Sequence, residues 1–175
     1  PLIVSTGMAE LDEIALALGV IAHGLGFGDQ AATPNEAIFT AASRNHDAQT
    51  TLRRQVILLH AVSDYPARIE AVNLRAMDVM RERFGLEVGY SDHTQGIAVP
   101  IAAAAMGAVV IEKHFTLDRT MEGPDHKASL EPDELTAMVQ GIRDADTALG
   151  RPVKTLQASE AATRLVARKS LVASA

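Results

Sequence analysis

The sequence contains no cysteine and no tryptophan, and aromatic residues make up only 3% of its 175 residues. Without cysteine the chain can form neither a disulfide framework nor a thiolate metal site, so histidine and carboxylate side chains are the metal ligands that remain. Because aromatic residues are scarce, the core must be built from Ala, Val, Ile, Leu and Met, which is typical of layered α/β packing. A hydrophobic content of 47% predicts a folded domain rather than a disordered chain.

Long apolar runs and an excess of positive charge are also missing. No apolar stretch approaches the roughly 20 residues that span a bilayer, and the first residues lack the basic flank of a signal peptide. The formal net charge of −6 argues against nucleic acid or an anionic membrane surface as a partner recruited by bulk charge. We therefore expect a cytoplasmic protein with no nucleic-acid partner and no membrane partner.

Short aliphatic runs recur along the chain, and each is followed by a polar loop and a helical pattern. This alternation is typical of βα units around a parallel sheet, and predicts an α/β fold. The predicted strands are Leu2–Val4, Val56–Leu59, Glu87–Gly89 and Val109–Glu112. Apolar spacing and capping residues predict helices over Met8–Ala22, Ala67–Phe84, Gln95–Met106, and from Pro132 to a closing Gly150.

Two segments depart from this pattern. Residues 23–55 are interpreted as an insertion with one or two short helices on the outside of the sheet, within a domain that spans residues 1–150. The composition turns polar after Gly150, so residues 151–175 are interpreted as a linker toward a C-terminal domain that is absent from this chain. Within it, Ser159–Ala175 is expected to form a helix that leads into a further strand.

Two histidines follow consecutive predicted strands. Neighbouring parallel strands lie about 4.8 Å apart, so the imidazoles of His93 and His114 can converge on one point. Together with oxygen ligands, they would suit Mn²⁺ or another divalent metal with open positions. A single histidine here could instead cap a strand end through hydrogen bonds. Two of them in adjacent loops, beside the polar Asp92 and Lys113, favour metal ligation.

Other polar side chains lie in the same strand-end loops, where parallel α/β proteins collect their chemistry. Ser5, Ser63 and Ser91 could surround one anion such as a phosphate, although Ser5-Thr6-Gly7 would serve equally well as a helix N-cap. The phenol of Tyr65 could orient a sugar hydroxyl or an amide, or could belong to a packed turn. Asp125 could bind polyol hydroxyls or lie in a solvated turn.

Lys113 precedes His114 directly. Successive side chains of a strand point to opposite faces, so we expect Lys113 to have a structural role on the face away from His114.

Several strings of the sequence, in this order, resemble the N-acetylneuraminate (sialic acid) synthase family. They are Leu2–Met8, Ser63–Pro66, Val88–Thr94, Ile111–Thr116, Gly123–Ser129 and Leu130–Leu135. The resemblance covers nearly the whole chain outside residues 23–55, and the collinear order of the strings makes it more specific than any single motif.

The resemblance implies a (β/α)8 TIM barrel, of which this chain would supply strands five to eight as a partial barrel. It implies condensation of phosphoenolpyruvate with N-acetylmannosamine or a related N-acetylated aminosugar, giving a nonulosonic acid and phosphate. It also implies a divalent metal, with Mn²⁺ preferred and Mg²⁺ or Co²⁺ as alternatives. Because an open half-barrel exposes two strand edges and an apolar sheet face, we expect a homodimer or a longer parent chain.

Residue roles follow from the same resemblance. His93 and His114 would be the catalytic metal ligands. Ser5, Ser63 and Ser91 would contact phosphoenolpyruvate, and Tyr65 and Asp125 would contact the acceptor sugar.

The chain also departs from the family pattern. Ala61-Val62 stands where typical members carry Cys-Thr or Thr-Thr, and Asp64 replaces a glutamate. The family's first four βα units and its C-terminal antifreeze-like domain have no counterpart here. A typical barrel has about 250 residues, so we expect this chain to be inactive alone.

Two alternatives stay open. The chain could be a half-barrel that acts only as a structural or metal-binding module. It could also belong to a legionaminic acid, pseudaminic acid or spore-coat polysaccharide synthase with a different acceptor.

Overall fold

A computed structural model describes residues 1–168 of the chain as a single parallel sheet of four strands in the order β1-β2-β3-β4. The strands are β1 (Leu2–Ser5), β2 (Val56–Ala61), β3 (Glu87–Asp92) and β4 (Ile111–Lys113). Consecutive strands are neighbours in the sheet, and each is joined to the next by a helical connection. This is the architecture of half a (β/α)8 barrel, as predicted.

The helices follow the strands as the apolar spacing indicates. They are α1 (Leu11–Gly24), α2 (Glu36–Arg44), α3 (His46–Gln55), α4 (Ala76–Phe84), α5 (Ala98–Ala105), α6 (Pro132–Leu149) and α7 (Ala161–Ala167). Short 3-10 turns lie at Ile69–Ala71, His126–Ala128 and Ala158–Glu160. No helix within residues 1–168 has the length and apolar character needed to cross a membrane.

Three helix predictions were wrong at their beginnings, for reasons of backbone conformation. Met8, with φ 63°, adopts a left-handed conformation, so α1 begins only at Leu11. Asn73, with φ 47°, interrupts the helix predicted over Ala67–Phe84 and leaves α4 as its second half. Gly96, with φ 76°, delays α5 in the same way.

Other boundaries agree with the sequence. Gly85 ends α4 in the left-handed conformation, with φ 64°. Pro132 opens α6 within a capping box formed by Glu131 and Glu134. The helical part expected within Ser159–Ala175 is present as α7, and the further strand expected after it lies outside the described residues.

The core lies between one face of the sheet and the helices. Side chains alternate along a strand, so Leu58, Val88 and Tyr90 point to the helices and are fully buried there. Residues 23–55 form the two short helices expected, and they also reach this core, because α2 and α3 bury Ala42, Ala48 and Leu52. The other face carries Ile3, which is 55% exposed at the β1 edge.

Candidate functional site

The strand ends bring together three of the residues singled out from the sequence. The ring centroids of His93 and His114 lie 5.4 Å apart. Tyr65, in the loop after β2, places its ring centroid 4.2 Å from that of His93 and 5.6 Å from that of His114. Three consecutive βα units thus contribute to one aromatic cluster, because parallel strands end at the same edge of the sheet.

The orientation of the His93 ring is set by a backbone contact. Its Nδ1 lies 2.7 Å from the carbonyl oxygen of Val62. A carbonyl can only accept, so Nδ1 carries the proton and the lone pair of the neutral ring is on Nε2. The carbonyl of His93 in turn accepts a hydrogen bond from Ala67 N at 2.8 Å, which ties the loop after β2 to the end of β3.

His93 and His114 fit a divalent metal as two of its ligands but do not complete its coordination. A histidine that donates Nδ1–H to a carbonyl and keeps Nε2 free has the arrangement usual for a metal ligand. Within residues 1–168 no group of three or more His, Cys, Asp or Glu side chains is arranged to hold a metal ion. His93 and His114 could therefore supply two ligands, and the remaining positions would be left for water, substrate or further oxygen donors.

Glu112 belongs to this site, although the sequence reasoning did not single it out. Its Oε1 accepts a hydrogen bond of 2.6 Å from Ser91 Oγ, and the two residues are partners in the β3–β4 register. Glu112 lies two residues before His114, so both side chains point to the same face of β4. The two-residue spacing between Glu112 and His114 was the sequence signal that could have assigned Glu112 to the site.

The loops after β1 and β2 approach each other at Gly7. A Cβ at this position would meet Oγ of Ser63, which lies at the end of an exposed side chain that can rotate away. Ser5 ends β1 beside Leu59 of β2. The loops that carry Ser5 and Ser63 therefore meet. The third predicted hydroxyl, that of Ser91, lies near the end of β3.

Asp125 lies in the long loop between β4 and α6. Its side chain is exposed, and its backbone carbonyl accepts hydrogen bonds from Ser129 Oγ at 2.7 Å and Ala128 N at 3.1 Å. Arg119 anchors this loop by donating to Ser129 O at 2.9 Å and to Glu134 at the start of α6. The hydrogen bond from Arg119 lowers the pKa of Glu134 below its ordinary value, and a bond from Glu131 N adds to that effect.

Lys113 points away from His114, as expected from strand alternation. Its Nζ lies 2.6 Å from Oδ2 of Asp92, with both side chains almost completely buried on the helix side of the sheet. Tyr90 donates to the same carboxylate at 3.1 Å. Burial, with a further contribution from the charge of Asp92, raises the pKa of the Tyr90 phenol well above its usual range.

Comparison with known proteins gives a family match over most of the chain. The model of the NeuB family matches residues 1–154. An N,N'-diacetyllegionaminic acid synthase of Legionella pneumophila is 42% identical over 171 residues, covering 98% of this chain and 42% of that protein. An N-acetylneuraminate-9-phosphate synthase of Homo sapiens is 46% identical over 116 residues, covering 66% of this chain and 32% of that protein.

A solved structure shares the fold. The crystal structure of an N-acetylneuraminic acid synthetase from Leptospira borgpetersenii superposes with a TM-score of 0.66 at 33% identity, covering 95% of this chain and 50% of that one. The chain thus spans half the length of the protein in this structure. It spans less than half the length of the two relatives described above.

Proposed function

The chain belongs to the NeuB family, and we propose that it forms the metal-carrying half of the active site of a nonulosonic acid synthase. The reaction joins C3 of phosphoenolpyruvate to the aldehyde carbon of an N-acetylated aminosugar. Water then adds at C2 and phosphate leaves, giving a 2-keto acid. The observation that carries this proposal is the cluster of Tyr65, His93 and His114 at adjacent strand ends.

The histidine pair is the proposed metal site. His93 and His114 would hold a divalent cation such as Mn²⁺, which polarises the aldehyde oxygen of the acceptor when it is bound. The Val62 carbonyl holds the His93 ring with Nε2 free for this purpose. The packing of Tyr65 against both rings restricts their rotation and keeps Tyr65 beside the proposed metal position, where its phenol would contact the acceptor.

The polar side chains around this pair are proposed to bind the two substrates. Ser5, Ser63 and Ser91 lie at three adjacent strand ends, where hydroxyl groups suit a phosphate or a carboxylate. Ser5 and Ser63 would donate to the anion directly, whereas the one hydroxyl proton of Ser91 is donated to Glu112 and would have to turn from it to reach phosphoenolpyruvate. Glu112, held by Ser91, is suited to accept hydrogen bonds from acceptor hydroxyls. Asp125 would contact the same sugar from the loop before α6.

Coverage of the relatives favours one acceptor class. The match to the Legionella legionaminic acid synthase covers 98% of the chain and therefore includes residues 23–55, whereas the match to the human enzyme covers 66%. A diacetylated product draws both acetamido groups from the sugar, because phosphoenolpyruvate contains no nitrogen. We therefore propose a six-carbon aldose with two acetamido groups as acceptor, and N-acetylmannosamine as the alternative.

Phosphate release tests the proposal. The chain is incubated with phosphoenolpyruvate, Mn²⁺ and either sugar, alone and together with a polypeptide that supplies four completing βα units. We expect turnover only in the completed barrel, faster with the diacetamido sugar, and abolished by His114→Ala but not by His46→Ala on the exposed end of α3.

Other outcomes separate the alternatives. Phosphate release by the chain alone would contradict the dependence on a second half-barrel. A completed barrel that binds Mn²⁺ and releases no phosphate with either sugar would favour a purely structural or metal-binding module. Faster turnover with N-acetylmannosamine would overturn the acceptor assignment alone.

A further inference from the structure

A buried ion pair lies directly behind the two histidines. Asp92 ends β3 and Lys113 ends β4, their side chains are 0% and 2% exposed, and Nζ lies 2.6 Å from Oδ2. Replacing such a pair by apolar residues is often neutral or stabilising, because taking two charges out of water is costly. Its presence here therefore points to a role in geometry rather than in stability.

The carboxylate of Asp92 is satisfied by donors from both sides of His93. It accepts hydrogen bonds from Tyr90 Oη at 3.1 Å, from Thr94 N at 3.0 Å and from Thr94 Oγ1 at 2.9 Å. Lys113 Nζ also donates to the backbone carbonyl of Thr94. The residues before and after His93 are therefore both bonded to the residue that precedes His114.

This network lies on the opposite side of the sheet from the imidazoles. Asp92 and Lys113 are register partners at the end of the β3–β4 ladder, and each is followed directly by one of the histidines, whose side chain points to the other face. The ring rotation of His93 is set separately by Val62. What the ion pair adds is a fixed distance between the two backbones, and hence between the rings, whose centroids lie 5.4 Å apart.

We propose that Asp92 and Lys113 are positioning residues, which hold His93 and His114 at the separation that a shared divalent metal requires. This inference rests on the metal assignment in the proposed function. Both side chains are buried on the face away from the imidazoles, so neither would touch a metal or a substrate held between the histidines. Both act through the backbone that joins each of them to its neighbouring histidine.

The test replaces the ion pair by neutral groups of similar shape. Asp92→Asn and Lys113→Met are combined in the full 175-residue chain, so that no unpaired charge remains in the interior. Mn²⁺ affinity is measured from the loss of the free-ion electron paramagnetic resonance signal, and the absorption spectrum of bound Co²⁺ reports ligand geometry. The matched control combines Asp78→Asn and Arg81→Met, which removes a half-exposed pair of 2.7 Å on α4.

We expect the double variant to melt near the wild-type temperature, to bind Mn²⁺ about ten- to a hundredfold more weakly and to show an altered Co²⁺ spectrum. The α4 control should keep the wild-type affinity and spectrum. A folded double variant with unchanged affinity would overturn the positioning role. If the double variant does not fold, Thr94→Val provides the test, because it removes one donor to Asp92 with little change of shape. Weaker Mn²⁺ binding by Thr94→Val supports the positioning role, and wild-type binding overturns that role.

His93→Ala distinguishes this inference from the proposed function. If it loses Mn²⁺ while the double variant keeps the wild-type affinity, only the positioning role fails. If it binds Mn²⁺ as tightly as the wild type, or if the wild type binds none, the metal assignment fails and the positioning role fails with it.

Discussion

The hydroxyl of Ser91 donates a hydrogen bond of 2.6 Å to the carboxylate of Glu112, across the register that pairs β3 with β4. Ser91 is 2% exposed, whereas Glu112 is exposed on the face of the sheet that carries the histidines. The serine therefore fixes the direction of a carboxylate that remains accessible to a substrate. The buried Ser91 therefore affects the site through the exposed Glu112 that it orients.

Loss of this hydrogen bond should reduce activity in the completed barrel. A hydrogen bond to a charged group contributes about 1.5–3 kcal/mol, so Ser91→Ala is expected to lower kcat/KM for phosphate release by about tenfold or more. Glu112→Gln keeps an acceptor for Ser91 and removes the charge, so a loss in that variant assigns the effect to the charge. Ser43→Ala on α2, where the hydroxyl donates only to Thr40 O, should match the wild type. Wild-type kinetics in both site variants would remove Glu112 from the site.

Removal of either imidazole should abolish metal binding. His93→Ala and His114→Ala each leave one of the two histidine ligands, and we expect no measurable Mn²⁺ binding in a calorimetric titration. His46→Ala changes an exposed histidine on α3 and should leave binding intact. Unchanged Mn²⁺ affinity in both site variants would refute the assignment of the pair as metal ligands.

A methyl group at residue 89 should destabilise the protein. A Cβ at Gly89, in β3, would lie 2.5 Å from the backbone carbonyl oxygen of Val110, which cannot rotate away, and overpacking typically costs about 1–3 kcal/mol. Gly89→Ala is therefore expected to lower the urea midpoint, whereas Gly24→Ala, which meets nothing within 4 Å, should not. Equal midpoints for the two variants would contradict the close approach of β3 to the residue that precedes β4.

The packing of α2 against α1 can be tested at Gly19. This buried glycine lies against the backbone carbonyl of Phe39, with which a Cβ would clash. Gly19→Ala should separate the two helices and lower the melting temperature more than Gly24→Ala does. A melting temperature equal to that of Gly24→Ala would show that α2 does not need this contact.

The anchor of the Asp125 loop should weaken in acid. The pKa of Glu134 in the folded protein lies below its ordinary value of 4.5, mainly because Arg119 donates to it. The ion pair therefore contributes stability that is complete above about pH 4.5 and is lost as the pH falls through the folded-state pKa. Both side chains are 38% exposed, so salt should also reduce this contribution.

The measurement compares melting temperatures of the wild type and Arg119→Met over a pH series. Their difference should be constant above pH 4.5, the ordinary value for Glu134, and should shrink below it. Arg143→Met, at an exposed position of α6, serves as the control and should show no such difference. A difference that does not depend on pH would contradict the role of the ion pair.

The fold was largely predictable, since local patterns carry most of it. Aliphatic runs predicted every strand of the sheet, and Gly85 and Pro132 predicted helix ends correctly. The strands β2 and β3 extend beyond their apolar runs through His60 and Ser91. Polar residues can continue a strand when neighbouring strands satisfy their backbone, and that depends on tertiary pairing.

The candidate site was predictable only in part. The order of strands and loops placed Tyr65, His93 and His114 at one edge of the sheet, and alternation placed Lys113 on the far side. Glu112 was missed because it lies within a strand, where a carboxylate gives no loop signal. The break at Asn73 was missed because a left-handed conformation of a residue other than glycine depends on its surroundings.

The sequence by itself determined the parallel βα architecture, the family and the pair of histidines, because each of these depends on residue type and on spacing along the chain. Only the tertiary structure decided which atom donates to which: the Val62 carbonyl that orients His93, the Ser91 hydroxyl that holds Glu112, and the buried Asp92–Lys113 pair behind the histidines. These contacts join different βα units. Their distances depend on strand register and on the packing of the helices against the sheet, which no local pattern specifies.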